Sequence, residues 1–280
     1  MSRSIEPSKP WSPWLRLLQL ARWFVIRIPD PLRLHLAFRL RLPMGKGSFV
    51  VTTSEGFRFV VWDLFEIVQR YVFWTGTWEH EEAIVVQQIP AGGTVVDVGA
   101  QLGYFSLSAS VAVGPSGRVI AVEPMPVNQA RIRQNLELNG FTNVTLVEVA
   151  AAGESGTARF ATRSSNHQTS WGGLSEEGDV EVTTRPLDDV LDEQGVKKVD
   201  FLKIDVEGGE PDVIEGAQRL LDSPDFKGPL LIEINELRLG ERGHSGDAVI
   251  KALTSKGFRD ITLDLGLDPE TGDRNLVFAR

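Results

Sequence analysis

The stretch VVDVGAQLGYFS, Val95–Ser106, decides the fold of this 280-residue chain. An apolar run with one acid leads into two glycines four positions apart, and a second apolar run starts at Tyr104. This pattern predicts a buried strand over Val95–Val98, a turn over residues 99–103 and a helix from Tyr104 onward. A strand that passes through a glycine turn into a helix is typical of ligand-binding α/β folds.

Strand-like and helical runs alternate after Thr94. The strand-like runs are TVVDV, RVIAV, VTLVEV, VDFLKI, PLLIEI, GFRDITL and NLVFAR. The helical patterns between them include PVNQARIRQNLELNG and EPDVIEGAQRLL. This alternation predicts an α/β protein with a mostly parallel sheet and helices on both faces. Ligands of such sheets bind at the carboxyl ends of the strands.

The first 50 residues differ from the rest in charge. They hold nine Lys and Arg and two acids, so their net charge is +7, and the chain's net charge of −9 leaves −16 for the remainder. A domain this acidic argues against nucleic-acid binding. The chain has no cysteine, which excludes disulfides and thiolate metal ligands and is consistent with a reducing compartment.

The basic segment is rich in tryptophan and arginine. Arginines interrupt each apolar run well before the roughly 20 residues of a bilayer span, and they also continue through any apolar core of a signal peptide. We therefore expect a cytoplasmic protein. Two uses of residues 1–42 stay open, namely peripheral contact with a membrane and packing in a homodimer.

Three segments follow from these patterns. Residues 1–47 form a basic, helical N-terminal extension, and residues 48–93 form a hairpin, turning near Ser54–Gly56, and a helix over TWEHEEAIVVQQI. Residues 94–280 form the α/β domain.

The glycine spacing of the turn indicates its ligand. A pyrophosphate loop needs G-x-G-x-x-G, and the middle glycine is replaced by Gln101, which argues against NAD. Gly99 and Gly103 allow close backbone approach, and the helix N–H groups suit an anion. The turn therefore suits a ligand with a carboxylate and an amine, without phosphate. Glu123, before Pro124 at the end of the next strand, has two acceptor oxygens for the hydroxyls of a ribose.

Four segments resemble the FkbM-type family of S-adenosylmethionine-dependent methyltransferases. They are VVDVGAQLGYFS, AVEP, VEVAAAGESGTARF and, as the most specific, VDFLKIDVEGGEPDVIEGA. The resemblance covers roughly residues 75–280. It implies the class I methyltransferase fold, a Rossmann-like seven-stranded sheet whose last strand is antiparallel. It also implies methyl transfer to a hydroxyl oxygen of a sugar, a glycolipid or a polyketide-type product.

The resemblance implies a cofactor site as well. In the family the turn surrounds the methionine part of S-adenosyl-L-methionine, the acid after the second strand binds the ribose, and the region after the third strand lies near the adenine. The element TGTWE, Thr75–Glu79, resembles the part that closes over the cofactor, so residues 48–93 are expected to cover the site. The expected cofactor-binding residues are Asp97, Gly99, Gln101, Gly103, Glu123, Pro124, Glu148, Ala150 and Glu79. Relatives often have a smaller amide in place of Gln101 and a histidine in place of Asn235.

Candidate catalytic groups follow the strand VDFLKI. Asp205 ends this strand and Glu207 follows two residues later, so either carboxylate can take the proton of an acceptor hydroxyl. Lys203 lies on the same strand face as Asp205 and is expected to keep that carboxylate ionised. His167, in the polar loop Arg163–Asp179, is an alternative base.

We expect no metal site. Asp205, Glu207 and Glu233 can ligate a hard cation, but no ligand spacing requires one. The sequence thus predicts an O-methyltransferase that acts on a hydroxyl of a sugar or a lipid-linked glycan. The alternatives are a methyltransferase of a polyketide-type or other secondary metabolite, an NAD or nucleotide-sugar oxidoreductase, and an inactive cofactor-binding scaffold.

Overall fold

The computed structural model describes residues 13–25, 27–28, 32–42, 47–78, 84–162, 172–175, 177–267 and 274–280. The chain divides into two compact units. The N-terminal unit comprises Met1–His80 with Gln134–Gly140, and the sheet unit comprises Glu81–Arg133 with Phe141–Arg280. The predicted division into residues 1–47, 48–93 and 94–280 stays a prediction.

The N-terminal unit contains helices and one hairpin. Its elements are α1 (Pro13–Val25), α2 (Leu32–Arg39), β1 (Phe49–Thr52), β2 (Arg58–Val61) and α3 (Ile67–Thr75). β1 and β2 pair antiparallel, as the sequence predicts. Helix α3 was not predicted, because IVQRYVFWT is rich in β-branched and aromatic residues. The Glu66 carboxylate caps its start by accepting from the Val68 and Gln69 N–H groups, and Gly76 ends it in the left-handed conformation.

The sheet unit alternates strands and helices. In chain order its elements are β3 (Thr94–Val98), α4 (Tyr104–Val113), β4 (Arg118–Val122), α5 (Pro126–Asn139), β5 (Val144–Val147), β6 (Ala150–Ala151), β7 (Gly156–Thr162), β8 (Gly172–Leu174), β9 (Val180–Arg185), α6 (Leu187–Glu193), β10 (Phe201–Ile204), α7 (Glu210–Gly216), α8 (Gln218–Asp222), β11 (Leu230–Ile234), α9 (Glu236–Glu241), α10 (Gly246–Ser255), β12 (Arg259–Asp260) and β13 (Arg274–Ala279). The end of α5, from Gln134, belongs to the N-terminal unit.

The main sheet has seven strands in the order β12-β13-β11-β10-β3-β4-β5. The five strands from β11 to β5 are parallel, and the last strand, β13, is antiparallel to its neighbours. This arrangement confirms the predicted class I methyltransferase fold. The last residues of β10, β3, β4 and β5 stand side by side in register, so the residues that follow them meet at one edge.

The sheet is buried on both faces. Val96 packs on one side in an apolar cluster that includes Val213 of α7. Its neighbour Val95 packs on the other side with Phe105 of α4. Alternate residues of one strand therefore enter two cores, which fixes the register of the strand and the position of the turn that follows it.

A second sheet joins four strands in the order β6-β9-β7-β8. The sequence pattern predicts a loop over Arg163–Asp179, which is wrong for residues 172–174, since these form β8 against β7. The strands were missed because their alternating side chains include small and polar residues, as in VEVTTR of β9. Residues 163–171 lie outside the described part of the chain.

None of the helices in the described ranges is long and apolar enough to cross a bilayer.

Candidate active site

The turn after β3 needs glycine at its first position. Gly99 has φ +85°, and a Cβ there would stand 1.7 Å from the carbonyl oxygen of Asp205 on the neighbouring strand. No side chain fits that space, so the backbones of the β3 and β10 ends approach closely. Gly103, at φ +80°, starts α4, and a Cβ there would lie 3.1 Å from Ile132.

Gln101 also has a positive φ, +51°. Its backbone thus takes the left-handed conformation that a glycine would adopt in a dinucleotide loop, at a cost of roughly 1–2 kcal/mol. The Gln101 N–H donates to Glu123 Oε2 at 2.8 Å. The turn and the end of β4 are therefore joined by a hydrogen bond that depends on this backbone conformation.

Glu123 is held at the end of β4 with only 3% of its surface exposed. Besides the Gln101 N–H, the Met125 N–H and the Asn128 side-chain amide donate to its Oε1 at 2.9 and 3.1 Å. Burial raises the pKa of this carboxyl to about 7, against the opposing effect of those hydrogen bonds. Pro124 follows, and its carbonyl oxygen accepts from the Gln129 side chain at 3.0 Å.

Asp97 lies beneath the turn, fully buried in β3. The Ser106 hydroxyl of α4 donates to its Oδ2 at 2.5 Å, while Oδ1 has no hydrogen-bond partner among the described residues. Burial raises the pKa of Asp97, although the charge of Lys203 and the Ser106 hydrogen bond act in the opposite direction. A buried acceptor without a donor favours a ligand with an N–H donor.

Lys203 and Asp205 form an ion pair at the end of β10. Lys203 Nζ donates to Asp205 Oδ2 at 2.8 Å, and Lys203 stands beside Asp97 in the β10–β3 register. Burial would raise the pKa of Asp205, but the Lys203 charge and hydrogen bonds from Glu233 and Lys203 lower it below its usual value. The Asp205 side chain is 29% exposed, so an ionised carboxylate reaches the surface of this edge.

Glu207 is the second non-glycine residue with a positive φ, +56°, among the described residues. Such strain persists only where the surrounding structure enforces it, and it is common at functional sites. Glu210 Oε1 holds this loop by accepting from the Val206 and Gly208 N–H groups at 3.3 and 3.1 Å. The Glu207 carboxylate pairs with Arg238, with Oε2 3.6 Å from Nε.

A polar cleft of about 880 Å³ opens beside Glu207. It lies between the second sheet and α9, and four carboxylates and three guanidinium groups line it. These charged residues are Glu177, Glu181, Glu207, Glu241, Arg159, Arg238 and Arg242. Of these, the sequence patterns had indicated only Glu207. Arg238 and Arg242 follow β11 at the sheet edge where ligands bind, and that position is the signal that points to them.

The remaining residues that the sequence singled out lie in different environments or outside the described part of the chain. Ala150 is buried in β6, and Glu148 is half exposed in an ion pair with Arg133. Glu79 and His167 lie outside the described residues. Asn235 caps α9, since its Oδ1 accepts from the Arg238 N–H at 3.1 Å.

Within the described ranges, no group of three or more His, Cys, Asp or Glu side chains is arranged to hold a metal ion.

The edge of the sheet fits the parts of S-adenosylmethionine. Asp97 Oδ1, which has no hydrogen-bond partner among the described residues, matches the ammonium donor of this molecule, and the two Glu123 carboxylate oxygens match the hydroxyls of a ribose. Gln101 stands where a dinucleotide-binding loop has its middle glycine, which argues against a dinucleotide ligand. Asp205 and Glu207 follow β10 at the same edge of the sheet, where ligands of such sheets bind.

Comparison with known proteins identifies the family. The model described as the methyltransferase FkbM domain matches residues 97–259. Methyltransferase sdnD of Sordaria araneosa is 28% identical over 166 residues, which are 47% of this chain and 62% of that protein. The 2-O-methyltransferase NoeI of Sinorhizobium fredii is 28% identical over 129 residues, which are 40% of this chain and 52% of that protein. The chain spans between a tenth and about three fifths of the length of the curated relatives that it matches.

Among solved structures, the methyltransferase FkbM of Methylobacillus flagellatus KT aligns with a TM-score of 0.44 at 18% identity, over 78% of this chain and 56% of that chain. The family model covers more than half of the sequence. The chain therefore belongs to the FkbM methyltransferase family.

Proposed function

We propose that this FkbM-family methyltransferase transfers methyl to a hydroxyl oxygen of a sugar or a lipid-linked glycan. The observation that carries the proposal is the polar cleft beside Glu207. A sugar hydroxyl both donates and accepts hydrogen bonds, so it suits a wall on which carboxylates and guanidinium groups alternate. The name of the relative NoeI, a 2-O-methyltransferase, supports an oxygen acceptor.

Asp205 is the proposed general base. Bound S-adenosylmethionine would supply an electrophilic methyl group for the acceptor oxygen, and its sulfur would keep the electrons of the broken S–C bond. The acceptor hydroxyl gives its proton to the Asp205 carboxylate, and Lys203 keeps that carboxylate ionised in the resting enzyme. A positioned base contributes roughly 10²- to 10⁴-fold to the rate.

Glu207 and Arg238 are the proposed orienting pair for the acceptor. Holding the acceptor oxygen in line with the methyl group supplies up to about 7–11 kcal/mol of the barrier reduction. The constrained backbone of Glu207 and its contact with Arg238 fix the carboxylate at the cleft wall. His167 stays an alternative base, as the sequence predicts.

The proposed cofactor contacts follow the sequence expectation. Asp97, Gly99, Gln101 and Gly103 face the methionine part, and Glu123 with Pro124 binds the ribose. Glu148 and Ala150 are proposed to contact the adenine, and the role expected for Glu79 stays a prediction, since that residue lies outside the described part of the chain. Glu148 would have to exchange its ion pair with Arg133 for such a contact.

A polyketide-type acceptor is the second candidate. Thirteen of the described residues line the cleft, and none of these thirteen has an aromatic side chain, whereas apolar small molecules are bound mainly by apolar and aromatic groups. The lining therefore favours a polyhydroxylated acceptor.

A lipid-linked acceptor would be met at a membrane, and the basic segment, residues 1–42, is proposed to act there or in a homodimer. A cytoplasmic location stays a prediction.

Mass spectrometry of the native cell's glycans and lipids, with and without this protein, tests the acceptor class. The proposal predicts that one sugar-containing species loses a single methyl group when the protein is removed. Loss of a methyl group from a sugar-free metabolite instead would contradict it.

A further inference from the structure

Helix α1 has one face packed inside the N-terminal unit. Leu18 and Val25 are buried, and Arg22 Nε donates to the Phe73 carbonyl of α3 at 2.6 Å. The Arg22 guanidinium also lies 5.8 Å from the centre of the Phe73 ring. These contacts fix the rotation of the helix about its own axis, and they determine which residues point outward.

The outward face carries an apolar stripe. Leu17, Leu20 and Phe24 are 56%, 57% and 63% exposed, and their spacing of three and four residues places them along one side of the helix. Trp23, 48% exposed, flanks the stripe and meets Phe24 edge to face with ring centres 4.9 Å apart. Four large apolar side chains are therefore exposed on a helix of thirteen residues.

Arginines frame this stripe. Arg16 is exposed one turn before Leu20, and Arg27 lies over the Trp23 ring, with Cζ 3.7 Å from the ring centre. Arg27 also donates to the Trp23 carbonyl at 2.6 Å at the end of the helix. The sequence from Pro13 to Leu42 contains six arginines and one acid, Asp30. The exposed face of α1 is thus apolar along its middle, with Arg16 toward one end and Arg27 at the other.

We propose that this face of α1, defined by Leu17, Leu20, Trp23 and Phe24 with Arg16 and Arg27, docks on an anionic lipid bilayer. Apolar side chains enter the headgroup region, the tryptophan lies at its boundary, and the arginines pair with lipid phosphates and carboxylates. Charge complementarity selects this occupant over a second copy of the chain. In a symmetric dimer the same patch meets itself, so the arginines of one copy would approach the arginines of the other.

Lipid docking of α1 does not depend on the acceptor or on turnover. If the proposed function also holds, this docking places methyl transfer at a lipid surface.

Vesicle flotation with the full chain tests the docking face. The vesicles contain phosphatidylcholine alone or with about one third phosphatidylserine, at about 0.05 M and 0.5 M salt. We compare the parent with the triple variant Leu17→Ser, Leu20→Ser, Phe24→Ser. The matched control is Leu263→Ser, which removes a leucine that is 75% exposed in the sheet unit.

The parent is expected to float with the anionic vesicles, at least about tenfold more strongly than with the neutral ones, and to be released by salt. The triple variant should lose at least about tenfold in partitioning, while Leu263→Ser should match the parent. Equal flotation of the triple variant and the parent, or no flotation of the parent, would overturn the proposal.

Two further measurements distinguish lipid docking from unfolding of the variant and from dimerisation of the parent. Circular dichroism and binding of S-adenosylmethionine report whether the triple variant keeps its fold, and a folded variant that fails to float supports the docking face. If that variant is unfolded, Arg16→Gln with Arg27→Gln replaces it, with the same expected loss on anionic vesicles. Sedimentation reports the oligomer. A parent that is a stable dimer without lipid and a triple variant that is a monomer would assign the stripe to a subunit interface and contradict lipid docking.

Discussion

Replacing Glu123 gives the sharpest prediction for the cofactor site. The carboxylate is buried and accepts three hydrogen bonds from the protein, and its two oxygens are proposed to accept the ribose hydroxyls as well. Glu123→Ala removes every acceptor at once. A stranded buried donor costs about 1–3 kcal/mol, so S-adenosylmethionine should bind roughly 5- to 150-fold more weakly.

The pH dependence follows from the same carboxyl. Burial raises the pKa of the Glu123 carboxyl to about 7, so this group is increasingly protonated below that pH. Protonation turns one carboxylate oxygen from a hydrogen-bond acceptor for the ribose into a donor. Affinity should therefore be constant above about pH 7 and should fall toward tenfold per pH unit below it. The folded protein binds this proton more tightly than the unfolded chain, whose ordinary value is 4.5. The contribution of this carboxyl to the free energy of unfolding is thus fully present below pH 4.5 and is lost as the pH rises through about 7. The full contribution is roughly 3 kcal/mol.

Isothermal titration calorimetry between about pH 5.5 and 8 measures the affinity, with Glu123→Gln as the matched control. The amide keeps the volume of the side chain but does not titrate in this range. Subtracting the pH profile of Glu123→Gln from that of the parent therefore corrects for the titration of the cofactor itself. A parent and a Glu123→Ala variant that bind equally well, or a parent profile identical to that of Glu123→Gln, would refute the ribose assignment.

Four further predictions concern the same edge of the sheet. Gly99→Ala should lower the free energy of unfolding by more than about 4 kcal/mol, because its Cβ overlaps the Asp205 carbonyl. Gly266→Ala is the control, since Gly266 is also left-handed but has open space, and it should cost only about 1–2 kcal/mol. Equal denaturation midpoints of the two variants would contradict the close approach at Gly99. Asp205→Asn should reduce kcat roughly 10²- to 10⁴-fold with little change in cofactor affinity. If turnover is undiminished, Asp205 is not the general base, and Glu207 or His167 becomes the candidate. Lys203→Met should raise the pKa of Asp205 and so shift the acidic limb of the plot of kcat against pH to higher pH. If this limb does not shift, the ion pair of Lys203 with Asp205 does not control the protonation of the general base. Arg238→Lys should raise the KM for the acceptor while cofactor affinity stays constant, since the pairing with Glu207 needs the guanidinium. If only cofactor affinity changes, the assignment of Arg238 to the acceptor site is wrong.

Local signals were sufficient to predict the main sheet. The β3 strand, its glycine turn and the helix from Tyr104 came directly from VVDVGAQLGYFS, because an apolar strand, two glycines and a buried helix each have a short-range pattern. The second sheet was missed, since the side chains of its strands are mixed in polarity and no apolar run marks them, as in GTARFAT of β7. Helix α3 was missed because its propensities favour a strand, and its two capping residues, Glu66 and Gly76, were not recognised as helix ends.

Chemistry that depends on long-range contacts was harder to predict. The pairing of Lys203 with Asp205 followed from their spacing on one strand, and the structure brings them within 2.8 Å. No sequence pattern joins Glu207 to Arg238, since thirty-one positions separate them and only the packing of α9 on the β10 loop brings them together. The left-handed backbone of Gln101 is similarly invisible in the sequence, although the dinucleotide motif prefers glycine at that position.

Methyl transfer from trideuteromethyl-labelled S-adenosylmethionine, in an extract of the native cell, tests the central claim most directly. The extract is incubated with the purified full chain or with its Asp205→Asn variant, and products are fragmented by mass spectrometry. The proposed function predicts a labelled methyl group on the oxygen of a sugar residue, formed with the parent and strongly reduced with the variant. A label on nitrogen or carbon, or equal labelling by both proteins, would contradict it.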